Sequence, residues 1–218
     1  MADRNHKDLG DVRREYERDR LDASHLPSHP MILFQAWVEE ATRSDDPDPT
    51  AMTLSTVDES GSPSSRIVLL KKIQDNKLVF FTSFSSKKAR EMKRNPRVAA
   101  HFFWPRLERQ VKISGMVFIL EDADSDSYFN SRPFESKISA WASPQSEVVP
   151  DREYLEKQYR HYLKKFEGSA RVPRPEDWGG YAISPLRVEF WQGGRHRLHD
   201  RIEYTFRDGD WSQVRLAP

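Results

Sequence analysis

The pattern of apolar and polar positions changes near residue 50 of the chain. Residues 1–28 are dense in charged side chains and poor in apolar ones, which predicts a flexible N-terminal arm. Ser28 is then expected to cap a helix ahead of Pro30, because apolar residues recur at helical spacing from Leu33 to Ala41. The polar run "DDPDPT" is expected to end this helix.

From Ala51 onward, short β-rich runs alternate with turn residues. The first five runs are "AMTLSTVD", "SSRIVLLKKI", "KLVFFTS", "RVAAHFFW" and "RQVKISGMVFIL", and later ones are "VEFWQ", "RLHDRIEYTF" and "WSQVRL". Strands this short, joined this closely, predict an antiparallel meander that closes into a barrel.

Four further segments have helical character and would decorate the barrel. They are "SSKKAREMKRN", "EDADSDSYFNS", "ESKISAWAS" and "DREYLEKQYRHYLKKFE", and the last has an acidic start and a basic end that match its dipole. No Gly/Ser-rich or Pro-rich linker divides the chain. The predicted fold is mainly β with α, in which residues 29–218 form one domain that follows the arm.

The composition narrows the possible partners. Thirty-five Lys and Arg oppose 34 Asp and Glu, for a net charge of +1, which argues against a general nucleic-acid binder. The absence of cysteine excludes disulfides, thiolate zinc sites and a cysteine nucleophile. Neither a signal-peptide core nor a membrane-spanning apolar run occurs, so we expect a cytoplasmic protein without a membrane partner.

Despite this balance, the segment "EFWQGGRHRLHDRIEY" (189–204) concentrates positive groups. They are Arg195, His196, Arg197, His199 and Arg201. Gly193 and Gly194 are expected to form a tight turn at positive φ.

Simple alternation after this turn places Arg197, His199 and Arg201 on one face of a strand. The same parity separates His196 from His199, which argues against a metal site. A ligand pocket is favoured over a solvated, charge-striped hairpin, because aromatic segments flank the cluster.

Two other segments concentrate donors of the kind that hold phosphate. In "FFTSFSSKKAR", hydroxyl groups run into Lys87 and Lys88 at a predicted helix start, where a bound anion would relieve their opposition to the dipole. A capped surface helix with solvated lysines is the alternative. In "YFNSRPFES", helical spacing would put Tyr128 and Arg132 on one face, near Ser136.

The run "RIVLLKK" places Arg66 and Lys71 around four apolar residues typical of a buried strand. Alternation puts the two charges on opposite faces, so a shared ligand would need a bulge or the end of the strand. Two anion cradles, a basic stripe and several aromatic residues together suggest two flat, phosphorylated partners stacked on each other. No G-x-G-x-x-G motif occurs, which disfavours a dinucleotide fold.

Taken in order, several motifs resemble the pyridoxine/pyridoxamine 5′-phosphate oxidase family. They are "RREY", "RIVLLK", "ERQV", "YFNSRP", "SPQS", "WGGY", "EFWQGG", "RLHDR" and the terminal "RLAP". The resemblance implies an FMN-binding split barrel and a homodimer with two FMN sites at the subunit interface. It also implies that O2 oxidises pyridoxine and pyridoxamine 5′-phosphates to pyridoxal 5′-phosphate, with release of H2O2 and, from the amine, ammonia.

The resemblance also implies site residues. FMN contacts would be Arg66, Ile67, Val68, Leu69, Leu70, Lys71, Phe81, Thr82, Lys87, Lys88, Gln110, Gln145, Ser146, Trp191 and Arg201. Substrate contacts would be Arg13, Tyr16, Lys71, Tyr128, Arg132, Ser136, Arg197 and His199. Gln145 and Ser146 would come from the partner subunit. Arg197 would organise the reacting carbon with His199 beside it, and no metal is implied.

Three positions depart from the family's common pattern. Phe81 stands where Tyr is often found, Lys87 where Arg is usual, and Asn130 where His is frequent. Lys87 keeps the charge and loses bidentate geometry, so FMN affinity could differ. Two alternatives stay open: another split-barrel flavin reductase, which would lack the substrate set, and a non-enzymatic flavin or pyridoxal-phosphate carrier.

Overall fold

In the part of the chain that the structure describes, nine antiparallel strands form one sheet around the main core. The computed structural model describes residues 15–17, 20–22 and 25–218. The strands are β1 (Ala51–Val57), β2 (Pro63–Leu69), β3 (Lys72–Gln74), β4 (Lys77–Ser83), β5 (Arg97–Trp104), β6 (Arg109–Ile119), β7 (Trp178–Gln192), β8 (Asp200–Arg207) and β9 (Asp210–Leu216). The helices are α1 (Pro30–Arg43), α2 (Lys87–Arg94), α3 (Asp122–Ser131), α4 (Phe134–Ala142) and α5 (Arg152–Phe166).

The strands at the two ends of the sheet's main path are linked covalently by the chain itself. Its strand order is β2-β1-β5-β6-β7-β4-β3, with β8 added to β7 and β9 to β8. The two ends of this path, β2 and β3, are consecutive strands joined by Leu70 and Lys71. The Leu70 N–H donates to Thr50 O and the Lys71 N–H to Val79 O, each at 2.8 Å. The chain thus changes from pairing with β1 to pairing with β4 within two residues, and the gap between β2 and β3–β4 is called the seam below.

The core follows from alternation along these strands. In β1 and β5 every second residue is buried, which turns one face of each strand inward. Helix α1 packs on this face, where the Phe34 and Phe102 ring centroids are 5.1 Å apart. A second cluster includes Phe129, Ile138 and Phe166, contributed by α3, α4 and α5. The predicted antiparallel barrel with peripheral helices is therefore confirmed.

Four local predictions are corrected. His29, rather than Ser28, caps α1, since its Nδ1 accepts a hydrogen bond from the Met31 N–H at 3.2 Å. "SSRIVLLKKI" forms two strands, and its expected burial fails because Ile67 and Leu69 are 63% and 40% exposed. Strand β7 begins at Trp178, well before "VEFWQ".

The early part of β7 was missed because its Gly and Pro residues look like strand breakers. The two glycines lie instead at close approaches, since a Cβ on Gly179 would lie 2.4 Å from the Phe84 ring and one on Gly180 would lie 2.5 Å from the Leu120 side chain. A Cβ on Gly115, in the partner strand β6, would lie 2.1 Å from Ser184 O, where the register of the two strands shifts.

Within the described part of the chain, no helix combines the length and the apolar character needed to cross a membrane.

Candidate functional site

A cavity of about 520 Å³ lies at the seam, between β2, β4, α3 and the loop that follows α4. Of the predicted site residues, it gathers Arg66, Ile67, Val68, Leu69, Lys71, Phe81, Thr82, Lys88, Tyr128, Arg132, Ser136 and Gln145. We call it the seam cavity. The two phosphate cradles predicted separately, one before α2 and one after α3, thus lie in one cavity.

The strand break at the seam brings Arg66 and Lys71 to this cavity together. Alternation predicted opposite faces, but β2 ends at Leu69, before the alternation reaches Lys71. Leu70 turns into the core at this point, so it lines no part of the cavity. The sequence predicted that Arg66 and Lys71 could share a ligand only at a bulge or a strand end. The end of β2, where the chain changes from pairing with β1 to pairing with β4, provides that strand end.

One end of the seam cavity carries donors that converge on a single oxygen. Gln145 Oε1 accepts hydrogen bonds from the Thr82 hydroxyl at 3.0 Å and from the Lys88 ammonium at 3.4 Å. Burial lowers the pKa of Lys88 to about 8, and the nearby Arg66 charge adds to this. Gln145 therefore completes the cavity of its own chain, which corrects the expectation that it comes from a partner subunit. The predicted pair of lysines is divided, because Lys87 does not line the cavity and its ammonium lies 3.7 Å from the Glu91 carboxylate.

Aromatic rings and a buried guanidinium form the other end. The Phe81 and Tyr128 rings stack with centroids 3.9 Å apart, and the Trp178 ring lies 5.5 Å from Phe81. Arg132 lies 4.7 Å over the Trp178 ring, and its buried Nη1 has no hydrogen-bond partner among the described residues. A buried donor left without a partner costs free energy. An anion bound in the cavity could accept a hydrogen bond from this Nη1 and would remove that cost.

Tyr128 and Arg132 do not share a helical face as predicted. Helix α3 ends at Ser131, and Arg132 is its extended C-cap. Both side chains nevertheless line the seam cavity.

Three predicted FMN contacts lie elsewhere, on the face of the sheet that points away from the core. Phe103, Gln110, Trp191 and Arg201 are direct neighbours in register across β5, β6, β7 and β8, and we call them the outer row. The Arg201 Nε–H donates to Glu189 Oε1 at 2.9 Å, and its Nη1 donates to Ala217 O at 2.8 Å. No residue of the outer row lines the seam cavity.

The predicted hairpin is not a regular turn between strands. Arg195–Arg197 form a short 3-10 turn, with positive φ at His196 (56°) and Arg197 (63°), and β8 begins only at Asp200. The expectation that Arg197, His199 and Arg201 share one strand face is therefore wrong. Gly194 has a φ of −137°, and neither it nor Gly193 has the expected positive φ.

Close approach, instead of positive φ, explains these two glycines. A Cβ on Gly194 would lie 2.4 Å from Leu198 O, and one on Gly193 would lie 2.8 Å from the Tyr16 side chain.

His199 joins an aromatic cluster beside this turn. Its ring lies 4.7 Å from Trp191 and 5.6 Å from Tyr16, centroid to centroid. The Gly194 N–H donates to His199 Nδ1 at 3.1 Å, so in the neutral ring the proton is on Nε2. Burial, followed by the Arg197 charge, lowers the pKa of His199, which favours this neutral form. Arg13, the other arm residue predicted for the substrate, lies outside the described residues.

Sequence reasoning missed several residues around these sites. Trp178 lines the seam cavity and supports Arg132, although the motif "WGGY" was noted only for its resemblance. Glu91 accepts a hydrogen bond from Arg66, and Glu189 accepts one from Arg201. The i,i+4 spacing of Lys87 and Glu91 was the one local signal for the first of these acids.

Ser146, another of the predicted FMN contacts, follows Gln145 in the loop, at a φ of 69°.

Comparison with known families identifies the family of the chain. Residues 38–166 match the family model described as pyridoxamine 5′-phosphate oxidase. The chain belongs to this family. Residues 178–218 match the model of the pyridoxine 5′-phosphate oxidase C-terminal dimerisation region, which contains Trp191 and Arg201.

Relatives in this family cover nearly the whole chain. The pyridoxine/pyridoxamine 5′-phosphate oxidase of Polynucleobacter asymbioticus is 45% identical over 210 residues, which is 96% of this chain and 99% of that protein. The enzyme of the same name from Shewanella frigidimarina is 47% identical over 211 residues, covering 97% and 99%.

Solved structures confirm the predicted split barrel. PhzG from Burkholderia lata, crystallised with tetrahydrophenazine-1-carboxylic acid, aligns with a TM-score of 0.87 at 29% identity, over 93% of this chain and 100% of that one. An FMN-binding protein from Nostoc punctiforme related to pyridoxamine 5′-phosphate oxidase has a TM-score of 0.70 at 16% identity, covering 88% and 100%. The second likeness concerns the fold alone.

Proposed function

We propose that this protein oxidises pyridoxine 5′-phosphate and pyridoxamine 5′-phosphate to pyridoxal 5′-phosphate, with FMN as cofactor and O2 as electron acceptor. H2O2 is the second product, and ammonia is released from the amine. The observation that carries the proposal is the seam cavity with its two separate sets of anion donors, one around Lys88 and one around Arg132. Two phosphates in one cavity are what a phosphorylated cofactor and a phosphorylated substrate require.

The residues at the seam fit FMN by their chemistry. Thr82, Lys88 and Arg66 supply a hydroxyl group and two cations for a phosphate, and exposed Ile67 and Leu69 supply apolar surface for a ring. FMN held by these residues would supply the redox chemistry, namely acceptance of a hydride from the 4′ carbon of the substrate and reoxidation by O2. Lys71, which the family resemblance assigns to both FMN and the substrate, adds a further cation at the seam.

The protein's own residues would bind and orient the substrate. Lys71, Tyr128, Arg132 and Ser136 would hold its phosphate. Arg197 and His199 would lie over the pyridine ring, and Arg197 would orient the reacting carbon. The 1–28 arm would close over this ring through Arg13 and Tyr16, on the single domain formed by residues 29–218.

We further propose a homodimer in which each seam cavity is completed by the outer row of the other copy. The outer row carries Gln110, Trp191 and Arg201, yet none of them lines the seam cavity of its own chain. The match to a dimerisation region over residues 178–218 supports this assignment. Exposed Phe103 gives the same row an apolar end suited to burial against a second copy.

Subunit complementation tests the shared site. An Arg132→Ala chain and an Arg201→Ala chain, each impaired alone, should form mixed dimers that contain one intact site and one doubly altered site. We expect purified mixed dimers, selected by two different affinity tags, to recover about half of the wild-type activity. Mixed dimers as inactive as both parents would mean that each site is built from one chain.

The lowered pKa of Lys88 predicts a pH dependence of cofactor binding. The free protein loses the Lys88 proton near its pKa of about 8, and a bound phosphate favours the protonated ammonium. The FMN Kd should therefore rise by about tenfold per pH unit above that pKa, until the pKa of the complex is reached. Fluorescence titration measures this slope. Riboflavin, which lacks the phosphate, and the Lys88→Gln variant serve as controls and should not show it.

Anaerobic mixing with substrate tests the reaction itself. FMN-loaded protein should lose its visible flavin absorbance on addition of either phosphorylated substrate, and air should restore it with formation of H2O2. Flavin that is bleached by a nicotinamide dinucleotide and by neither substrate would indicate a flavin reductase. Flavin that binds and is bleached by none of them would indicate a carrier.

A further inference from the structure

A buried carboxylate lies directly behind the cavity residue Arg66. Glu91, on α2, is only 5% exposed and receives a hydrogen bond from the Thr56 hydroxyl at 2.5 Å. The Ser64 hydroxyl donates to its two carboxylate oxygens at 3.1 and 2.9 Å. Glu91 does not line the seam cavity, so it touches a ligand there only through its neighbours.

The same groups immobilise the Arg66 guanidinium. Its Nη1 donates to Leu54 O at 3.2 Å and to Thr56 Oγ1 at 2.6 Å. Its Nη2 donates to Ser64 Oγ at 2.6 Å and to Glu91 Oε2 at 3.4 Å. Four of the five guanidinium protons are thereby used within the protein, which fixes the plane and rotation of the group at the cavity wall.

The charge of Glu91 sets the direction of these hydrogen bonds. Burial alone would raise the pKa of Glu91, but hydrogen bonds from Thr56 and Ser64 and the charges of Arg66 and Lys87 outweigh it and lower the pKa. The ionised carboxylate only accepts, so it draws the single proton of each hydroxyl toward itself. The lone pairs of Thr56 and Ser64 are then left to accept from Arg66.

We propose that Glu91 is a positioning residue for cofactor binding, acting through Thr56 and Ser64 to hold Arg66 in one orientation at the seam cavity. This inference rests on the proposed FMN site. A guanidinium fixed before binding loses less conformational entropy when a ligand arrives. A glutamine at this position keeps only one acceptor oxygen and carries no charge, so it attracts the two hydroxyl protons and the Arg66 cation less strongly and holds the guanidinium less firmly.

The test is a double-mutant cycle on FMN affinity, measured by flavin fluorescence. Glu91→Gln should raise the FMN Kd by about tenfold, and it should add less than about twofold once Arg66 is already alanine. At saturating FMN, the KM for pyridoxine 5′-phosphate should stay within about twofold of wild type, because Glu91 does not touch the residues proposed for the substrate phosphate.

Glu40→Gln is the matched control. Glu40 accepts a hydrogen bond from Arg109 at 2.5 Å, and that arginine is buried but does not line the seam cavity. This variant should lower the melting temperature and leave the FMN Kd unchanged. Additive effects of Glu91→Gln and Arg66→Ala, or a Glu91→Gln protein that binds FMN as wild type does, would overturn the inference.

A second measurement separates this inference from the cofactor proposal. In the FMN-free protein, the NMR signals of the Arg66 Nη protons, assigned with Arg66→Lys, should exchange faster with solvent in Glu91→Gln than in wild type. An unchanged signal would contradict positioning by Glu91 whether or not FMN binds. A changed signal in a protein that binds no FMN would leave the positioning of Arg66 intact and sink the cofactor proposal.

Discussion

Replacing Arg132 with alanine should raise the KM for pyridoxine 5′-phosphate by about two orders of magnitude, while FMN still binds. The guanidinium lies over the Trp178 ring, and its buried Nη1 has no partner among the described residues to compete with a phosphate oxygen. Burial lowers the pKa of Arg132, but arginine starts so high that the group stays charged at any working pH. A charge-assisted hydrogen bond of this kind is among the strongest that a side chain makes.

Steady-state kinetics with two substrates decides this prediction. Dephosphorylated pyridoxine should be used equally by wild type and Arg132→Ala, because the lost interaction is with the phosphate. Arg132→Lys should recover part of the KM effect, since it keeps the charge without the planar fork. Arg171→Ala is the matched control, because Arg171 is an exposed arginine that bonds to Asn130. An Arg132→Ala enzyme with normal KM would place the substrate phosphate elsewhere.

Replacing Arg197 with alanine should slow flavin reduction by about two orders of magnitude without weakening FMN binding or lowering the melting temperature. The Arg197 side chain is exposed, and its backbone lies at a φ of 63°. A substitution at an exposed position should perturb folding little, so the loss would report on the reacting carbon. The rate of anaerobic bleaching by substrate measures the step directly.

The same turn supplies a control for Arg197. Arg195 lies two residues earlier, exposed, with its guanidinium 3.7 Å from the Glu17 carboxylate. Arg195→Ala should leave the bleaching rate close to wild type. Equal losses in both variants would indicate a general effect of positive charge near the site and would remove the specific role of Arg197.

The sequence predicted well wherever the signal was local. The run "RVAAHFFW" coincides with β5, and "RQVKISGMVFIL" coincides with β6 to within one residue. The donors of "FFTSFSSKKAR" and "YFNSRPFES" were likewise recognised as anion cradles from the local sequence. Hydroxyls and cations close together in sequence remain close in space whatever the fold. Their convergence in one cavity depends on which strands become neighbours, and periodicity carries no such information.

The failures arise where the backbone leaves a regular conformation. The parity argument for Arg197 and His199 assumed an extended strand, whereas the chain makes a 3-10 turn with two non-glycine residues at positive φ. Such φ values are uncommon outside glycine and are imposed by surrounding structure. The opposite faces assigned to Arg66 and Lys71 failed for the same reason, because Leu70 changes strand partners.

The seam has a consequence for how the barrel is held together. Its two bordering strands are linked covalently through Leu70 and Lys71, but among the described residues no β-ladder joins β2 to β3 or β4. Edges that lack a ladder are the places where a sheet separates first. A molecule bound in the seam cavity would contact β2 on one side and β4 on the other, and would bridge two strands that no β-ladder joins. A cofactor bound there as proposed would therefore also link the two sides of the barrel wall, and its release would leave them joined only through Leu70 and Lys71.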